Sequence, residues 1–350
     1  MSTGEYSDVK FQITNIPPPT HLMVPQKAVY QQPDFKDASV ISEGVARSAL
    51  LKHVETQFCW GKGAATKLKF TNTQSSVSYS YKLETFTESR ATKWEVEPYT
   101  GQSIDGPQYG TPPGPWEIPM LPTEQFKDIE VRRIEVPHTA SAQECLQCRA
   151  SGVQKCVGCE GKGGKLCNPC HGKGERLQRV KGTAGVMSMV NSRCSVCNGT
   201  GKEPCIRCSG TGQMKCQICL GACKVKMYVQ LIVTWKTYID VHIVGKANIP
   251  KELLSRVKGT NVFEDVQHVL IPITTCPEAE IIAASSKLIQ QHRFPNIRIL
   301  MQRHSITSIP ITQCDYSVKS LREKFYVYGL DNRVHAPGYP ETCCWGCEIM

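Results

Sequence analysis

Six C-x-x-C pairs stand between residues 145 and 223 of this 350-residue chain: Cys145/Cys148, Cys156/Cys159, Cys167/Cys170, Cys194/Cys197, Cys205/Cys208 and Cys216/Cys219. They form two triplets, each with an 11-residue period. Thiolates at this spacing can close on a tetrahedral ion, two sulfurs from each of two pairs. Four pairs carry the extended form C-x-x-C-x-G-x-G, as CVGCEGKG, CNPCHGKG, CSVCNGTG and CIRCSGTG. Glycines at those two places let the chain take positive φ and curl round a metal-bound sulfur, so that backbone N–H groups face it.

The chain has 19 cysteines, and its start, MSTGEYSDVK, lacks a basic region followed by an apolar one. Nothing there directs it to the secretory pathway, so a cytosolic or nuclear location is expected, where reduced thiols serve as metal ligands more often than as disulfides. A folding argument agrees. The 79 residues from Cys145 to Cys223 contain no Phe, Trp or Tyr and hold 14 of the chain's 27 glycines. Such a segment buries too little apolar surface to offset the entropy of ordering it, so metal must hold it together. Structural zinc supplies roughly 10–16 kcal/mol of apparent binding free energy in finger peptides.

Twelve thiolates make three Cys₄ sites, and zinc, two to three ions, is the expected cofactor. If the two triplets run antiparallel about a turn near Gly182 and Gly185, the pairing is nested. The inner site is then Cys167, Cys170, Cys194 and Cys197; the middle Cys156, Cys159, Cys205 and Cys208; the outer Cys145, Cys148, Cys216 and Cys219. Sequential pairing is the alternative, and the ligand set alone admits iron as well as zinc. The outer pairs depart from the motif: Ala150 takes the first glycine position in CLQCRASG, and Cys223 the second in CQICLGAC. Cys223 is therefore a competing ligand there. His171, beside Cys170, reads as an ordinary variable position.

The formal charge is +10, but the array alone carries 12 Lys+Arg against 3 Asp+Glu. Three zinc ions on twelve thiolates would add −6, leaving about +4 for the chain, so much of the basic excess compensates the metal sites. Without aromatic residues interleaved among these cations, nucleic acid is not the expected partner. No apolar run approaches the ~20 residues of a spanning helix. Asn198-Gly199-Thr200 matches a glycosylation sequon but lies inside a cysteine knuckle. Gly61-Lys62-Gly63 lacks Walker spacing, and neither H-E-x-x-H nor G-x-S-x-G occurs. The expected protein is not an enzyme; a thiol-disulfide oxidoreductase is a lesser alternative.

The elements that must position the array are read from periodicity. A leader, residues 1–36, is rich in proline. Asp37 caps a helix through Val40, Ile41, Val45, Leu50, Leu51 and Val54, where apolar positions return every three to five residues. Val77, Tyr79, Tyr81 and Leu83 alternate with polar residues, and a second run holds Trp94 and Val96, predicting a two-stranded antiparallel unit. A Gly/Pro-rich loop runs from Tyr99 to about Pro122. Ile129–Val136 and Val225–Val244 read as strands entering and leaving the array. Pro250 and Pro277 each open a helix, the second carrying Ile281, Ile282, Leu288 and Ile289. Further alternating runs follow at Ile297–Met301, Ile309–Ile311 and Phe325–Tyr328. The expected class is α+β, a β-rich body with packed helices and an inserted zinc-binding hairpin. Its divisions are 1–36 leader, 37–140 first part of the body, 141–223 cysteine module, 224–337 second part of the body, and 338–350 a tail.

The four complete motifs resemble the cysteine-rich zinc domain of DnaJ (Hsp40) chaperones, whose nested pairs bind two zinc ions and help handle unfolded polypeptide. This likeness covers only Cys145 to Cys223, with six pairs here instead of four and no His-Pro-Asp, hence no J-domain. The flanks WEVEPYTGQSIDGP (Trp94–Pro107), PWEIPMLP (Pro115–Pro122) and FYVYGLDNRVHAPGYP (Phe325–Pro340), with the array between them, resemble the Ssu-two homolog family of animal proteins. That resemblance implies a non-enzymatic protein connected with tooth development (odontogenesis).

Two functions compete in this reading. One is a protein-binding, chaperone-like module presenting Val186, Met187, Met189 and Val190 to unfolded polypeptide. The other is a membrane-associated regulatory adaptor. The chain ends Cys347-Glu348-Ile349-Met350, a C-a-a-X pattern with Met350 pointing to farnesyl, and Cys343 and Cys344 could take palmitate. Stable anchoring through such a tail needs that second acylation.

Overall fold

The computed structural model describes residues 12–23, 35, 41–58, 60–181, 187–245 and 248–341. The chain divides into two compact units, one of Met1–Asn15, Ala91–Ile118 and Arg133–Ile232, the other of Ile16–Arg90, Pro119–Arg132 and Val233–Met350. Asp37, Val40, Gly182, Gly185, Val186 and the tail cysteines Cys343, Cys344 and Cys347 lie outside the described residues.

The second unit is built on long strands. Arg298–Val318 pairs antiparallel with Lys69–Pro98 over residues 69–88, and on its other side with Leu321–Tyr328 and Thr260–Gln267. Arg333–His335 closes the edge against Leu321–Tyr328. This is a mostly β protein, which corrects the α+β expectation of a body with packed helices. Three strands run 30, 21 and 21 residues, whereas the described residues hold four α-helices, the longest of 14.

Periodicity understated the strands because buried polar residues interrupt the apolar alternation. The two runs at Val77–Leu83 and Trp94–Val96 belong to one strand, Lys69–Pro98. Between them Glu84, Thr85, Thr87, Glu88 and Arg90 are buried. Each finds a partner: Glu84 takes Arg303 at 2.7 Å and Lys82 at 2.8 Å, and Glu88 takes Arg90 at 2.6 Å and Arg298 at 3.2 Å. Thr87 Oγ1 donates to the Lys236 carbonyl, and Thr85 Oγ1 meets His292 Nδ1 at 2.7 Å. Paired in this way, polar side chains can stand where an apolar one was expected. The runs at Ile297–Met301 and Ile309–Ile311 likewise merge into one strand.

Helix Glu43–Thr56 starts at Ser42, whose Oγ accepts from the Val45 N–H. Ala46, Leu50 and Val54 turn inward with Phe325 and Val327, while Val45, expected on the apolar face, is exposed. Helix Ala279–Gln291 buries Ile281 and Ile289 with Tyr81, Leu83 and Ile306. Trp60 stacks on Tyr339 at 4.9 Å. No described helix is long and apolar enough to cross a membrane.

His304 lies inside that second core, its Nδ1 3.2 Å from the Tyr81 hydroxyl and its ring against Phe263. Burial drives its imidazole from 6.5 down to about 4, and Asp265, 3.9 Å from Nε2, does not offset this. The unfolded chain therefore takes the proton first. Stability is full above about pH 6.5 and falls as the pH drops from there towards 4, by up to about 3 kcal/mol. Urea titrations across that window should show the midpoint falling, and His304→Gln should flatten the slope.

The first unit holds the array. Ser141–Glu144 pairs antiparallel with Lys224–Met227, so the array leaves and rejoins adjacent strands of one ladder. Lys226, buried beside that junction, is held by Glu135 at 2.5 Å and Glu97 at 3.6 Å.

Candidate metal centre

The twelve sequence-predicted cysteines gather into three groups, and the grouping is nested. Cys167, Cys170, Cys194 and Cys197 form the inner group; Cys156, Cys159, Cys205 and Cys208 the middle; Cys145, Cys148, Cys216 and Cys219 the outer. Three short antiparallel ladders separate and extend them: Val153–Lys155 with Gln213–Lys215, Gly164–Leu166 with Lys202–Pro204, and Glu175–Lys181 with Met187–Arg193. The equal 11-residue periods bring this about, because each step along one strand of the arm is matched by an equal step back along the other.

Within each group the four sulfurs lie within 4.8 Å of one another. The cross-arm separations are 3.8 Å (Cys145–Cys216), 3.6 Å (Cys148–Cys219), 3.8 Å (Cys156–Cys205), 3.7 Å (Cys159–Cys208), 3.8 Å (Cys167–Cys194) and 3.7 Å (Cys170–Cys197). A tetrahedron with metal–sulfur bonds of about 2.3 Å has edges of about 3.8 Å, so the donor set fits a four-coordinate ion. A disulfide would need about 2.05 Å, and all twelve thiols are free. Ten of them are buried; Cys159 and Cys205 of the middle group are partly exposed. The three groups could each hold a metal ion.

Backbone groups complete the cradle. The N–H of Gly152 donates to Cys148 Sγ, Gly163 to Cys159, Gly174 to Cys170, Gly201 to Cys197 and Gly212 to Cys208, at 3.2–3.3 Å. These donors are the second glycine of each motif. Burial pushes the Cys145 thiol up to about 12. It also opposes ionisation of Cys148 and Cys208, but the N–H donors and neighbouring thiols outweigh it and bring both to about 7. Thiolate, the form a metal takes, is thus favoured at Cys148 and Cys208, whereas burial and the neighbouring thiols outweigh the Gly163 N–H at Cys159 and push it up to about 11.

A cross-arm ladder, invisible in the spacing, locks the knuckles together in pairs. The N–H of the first cysteine in each pair donates to the carbonyl of the last motif residue opposite: Cys167 to Gly201, Cys194 to Gly174, Cys156 to Gly212, Cys205 to Gly163, Cys216 to Gly152 and Cys145 to Cys223. Serine and threonine hydroxyls add a second lock, since Ser151, Thr200 and Thr211 each donate to the carbonyl of the cysteine three residues back. Their recurrence at one motif position was the available signal.

The two glycines of the motif have different duties. A Cβ on Gly174 would lie 2.5 Å from the Gly199 carbonyl, and Gly201, Gly163 and Gly212 are crowded in the same way by Gly172, Gly210 and Gly161. The first glycine needs positive φ and faces side chains, not a carbonyl: at Gly210, φ +87°, a Cβ would meet Pro204 at 3.6 Å, and at Gly199 it would press on the Arg193 side chain. Ala150 takes that first position at φ +59°. Gly201→Ala should therefore pry the inner knuckles apart and speed amide exchange at Cys167, whose N–H it holds. Gly210→Ala should cost only about 1–2 kcal/mol of backbone strain and leave Cys167 protected.

The outer group is the one joined to the strands: Cys145, Cys148, Cys216 and Cys219 pack with Val225, Val96 and Met227. Cys223 replaces the second glycine there at φ +65° and belongs to none of the three groups, so the outer four cysteines match the other two groups in arrangement. His171 also stands apart, exposed at φ +49°. Arg149, Glu160, Asn198, Ser209 and Leu220 share its motif position, its left-handed backbone and its exposure, and the exposure explains why side chains of such different kinds stand there.

Fold and site together define a β-rich protein carrying a nested arm of three four-cysteine centres. No family model matches the chain. It is 42% identical over 342 residues to Protein SSUH2 homolog of Danio rerio, covering 96% of this chain and 90% of that protein. It is 39% identical over 327 residues to Protein SSUH2 homolog of Homo sapiens, covering 91% of this chain and 83% of that one. The Mus musculus protein of the same name is 38% identical over 257 residues, covering 72% of this chain and 71% of the relative. The chain belongs to the SSUH2 homolog family, in agreement with the resemblance carried by its flanking motifs.

Proposed function

We propose that the chain is a non-catalytic zinc-binding protein whose cysteine arm, stiffened by three ions, binds extended or unfolded polypeptide. The sulfur separations of 3.6–3.8 Å, matched across all three groups, support zinc in a tetrahedral Cys₄ setting. The observation that carries the binding role is the ribbon beyond the inner group. Leu177, Val180, Met187, Met189 and Val190 are all exposed there, on a sheet of two strands. Leu177, Met187 and Met189 stand on one face of the ribbon and Val180 and Val190 on the other; exposed apolar groups of this kind mark interaction surfaces, and methionine adapts to clients of varied shape. Zinc holds the ribbon without occupying it, leaving side chains and backbone edges for a partner.

The test is suppression of aggregation of a chemically denatured client by the full chain under reducing conditions. Zinc-loaded protein should slow aggregation and chelator-treated protein should not. Protection that survives the removal of zinc would overturn the reading.

A further inference from the structure

Charge is unevenly spread over this ribbon. Its rungs pair Glu175 with Arg193, Arg176 with Ser192, Leu177 with Asn191, Gln178 with Val190 and Arg179 with Met189. Its single acidic residue, Glu175, is on the rung next to the inner cysteine group. The two edges differ. On Met187–Arg193 the one cation is Arg193, and its Nε donates to the Asn198 carbonyl. On Glu175–Lys181, Arg176 and Arg179 are exposed, and no described carboxylate lies within ion-pair distance of either. The outer side of that strand has no strand beside it among the described residues.

We infer that this edge selects acidic polypeptide segments, adding them as a third strand with carboxylates beside Arg176 and Arg179. The inference rests on the polypeptide-binding reading and names the class of segment it takes. Successive side chains of a strand alternate between faces, so Leu177 and Arg179 share one face, and Arg176, Gln178 and Val180 the other. A segment laid along the edge then meets, in order, a cation, an apolar group, an amide, a cation and an apolar group. The complementary order is acidic, apolar, polar, acidic, apolar. Main-chain hydrogen bonds to the open edge would provide affinity, and the alternating side chains specificity. An anionic bilayer offers the same charge, but its headgroups cannot continue the strand ladder along the open edge or fill the alternating apolar positions.

The experiment uses the full, zinc-loaded chain and fluorescence anisotropy of short extended peptides of the order X-Val-Thr-X-Val, in which X is Glu, Gln or Lys. Phosphatidylserine vesicles form a separate arm. The Glu peptide should bind about fivefold tighter than the Gln peptide, the scale set by two exposed ion pairs, and tighter still than the Lys peptide. Arg176→Gln/Arg179→Gln should erase the preference and Arg176→Glu/Arg179→Glu should reverse it. Because both arginines are exposed, the metal content of these variants should equal that of the parent. Equal affinity for the three peptides would overturn the inference and leave the polypeptide-binding reading standing. Failure to bind any peptide would overturn both. Vesicle binding lost in the charge-reversed variant, without discrimination among the peptides, would assign the arginines to membranes and overturn the inference.

Discussion

Stripping metal from the reduced protein should unfold the chain between Cys145 and Cys223 while the second unit stays folded. The two regions are held by different forces. In the second unit Leu50, Tyr81, Leu83, Ile281, Ile306, Tyr316 and Phe325 are fully buried, and burying each such side chain contributes about 1.5–3 kcal/mol. In the arm the inner cluster of buried residues consists of Cys167, Cys170, Cys194 and Cys197 alone. The apolar side chains nearby, including Leu166, Val157 and Ile206, face solvent. Against roughly 10–16 kcal/mol of apparent free energy per structural zinc, the arm's three-residue ladders have little to hold them. Hydrogen exchange read by mass spectrometry should show the amides of Cys156, Cys167, Cys194 and Cys205 protected before chelation and fully exchanged after it. Amides of Arg298–Val318 should be unchanged. Protection of the four cysteine amides in metal-free protein would show that the arm has another source of order.

The second large effect is on stoichiometry. Native mass spectrometry should find three ions per chain. Cys159→Ser should remove one, because three thiolates and a hydroxyl hold zinc far less well than four thiolates. The decisive variant is Cys159→Ser/Cys208→Ser. In the nested grouping both sulfurs belong to the middle site, 3.7 Å apart, so the double variant should still lose only one ion. Sequential pairing would divide them between two sites and cost two. Thermodynamically this is the strong non-additivity expected of residues acting on one centre, on the order of ten kcal/mol for the ion concerned. Because Cys159 and Cys205 are the partly exposed members of the twelve, the middle site should also release its ion first when chelator is added slowly.

Much of the centre was written in the sequence. Six pairs in two triplets of period 11 define twelve thiolates and admit a nested grouping, since local spacing and chain reach are properties of the covalent chain. The flanking motifs carried the family in the same way. Other features of the site depend on what lies opposite. The two motif glycines look alike in sequence, yet only the second is crowded by a carbonyl from the partner knuckle, and that carbonyl is 25 to 69 residues away. The outer group was the least legible, because Ala150 and Cys223 break the motif; its four cysteines assemble because adjacent strands of one ladder bring both ends together.

The class of the fold was the larger miss, and for a related reason. Apolar alternation marks a strand only where one face is covered by apolar neighbours. Glu84, Glu88 and Arg90 sit in the buried middle of a 30-residue strand; Arg303 and Arg298 on the neighbouring strand make the two carboxylates tolerable there, and Glu88 in turn holds Arg90. Sequence alone fixes which atoms can bind a metal, since donor type and spacing are local. Tertiary structure decides which polar residues can be buried, because Arg303 and Arg298, which help neutralise Glu84 and Glu88, come from a distant part of the chain.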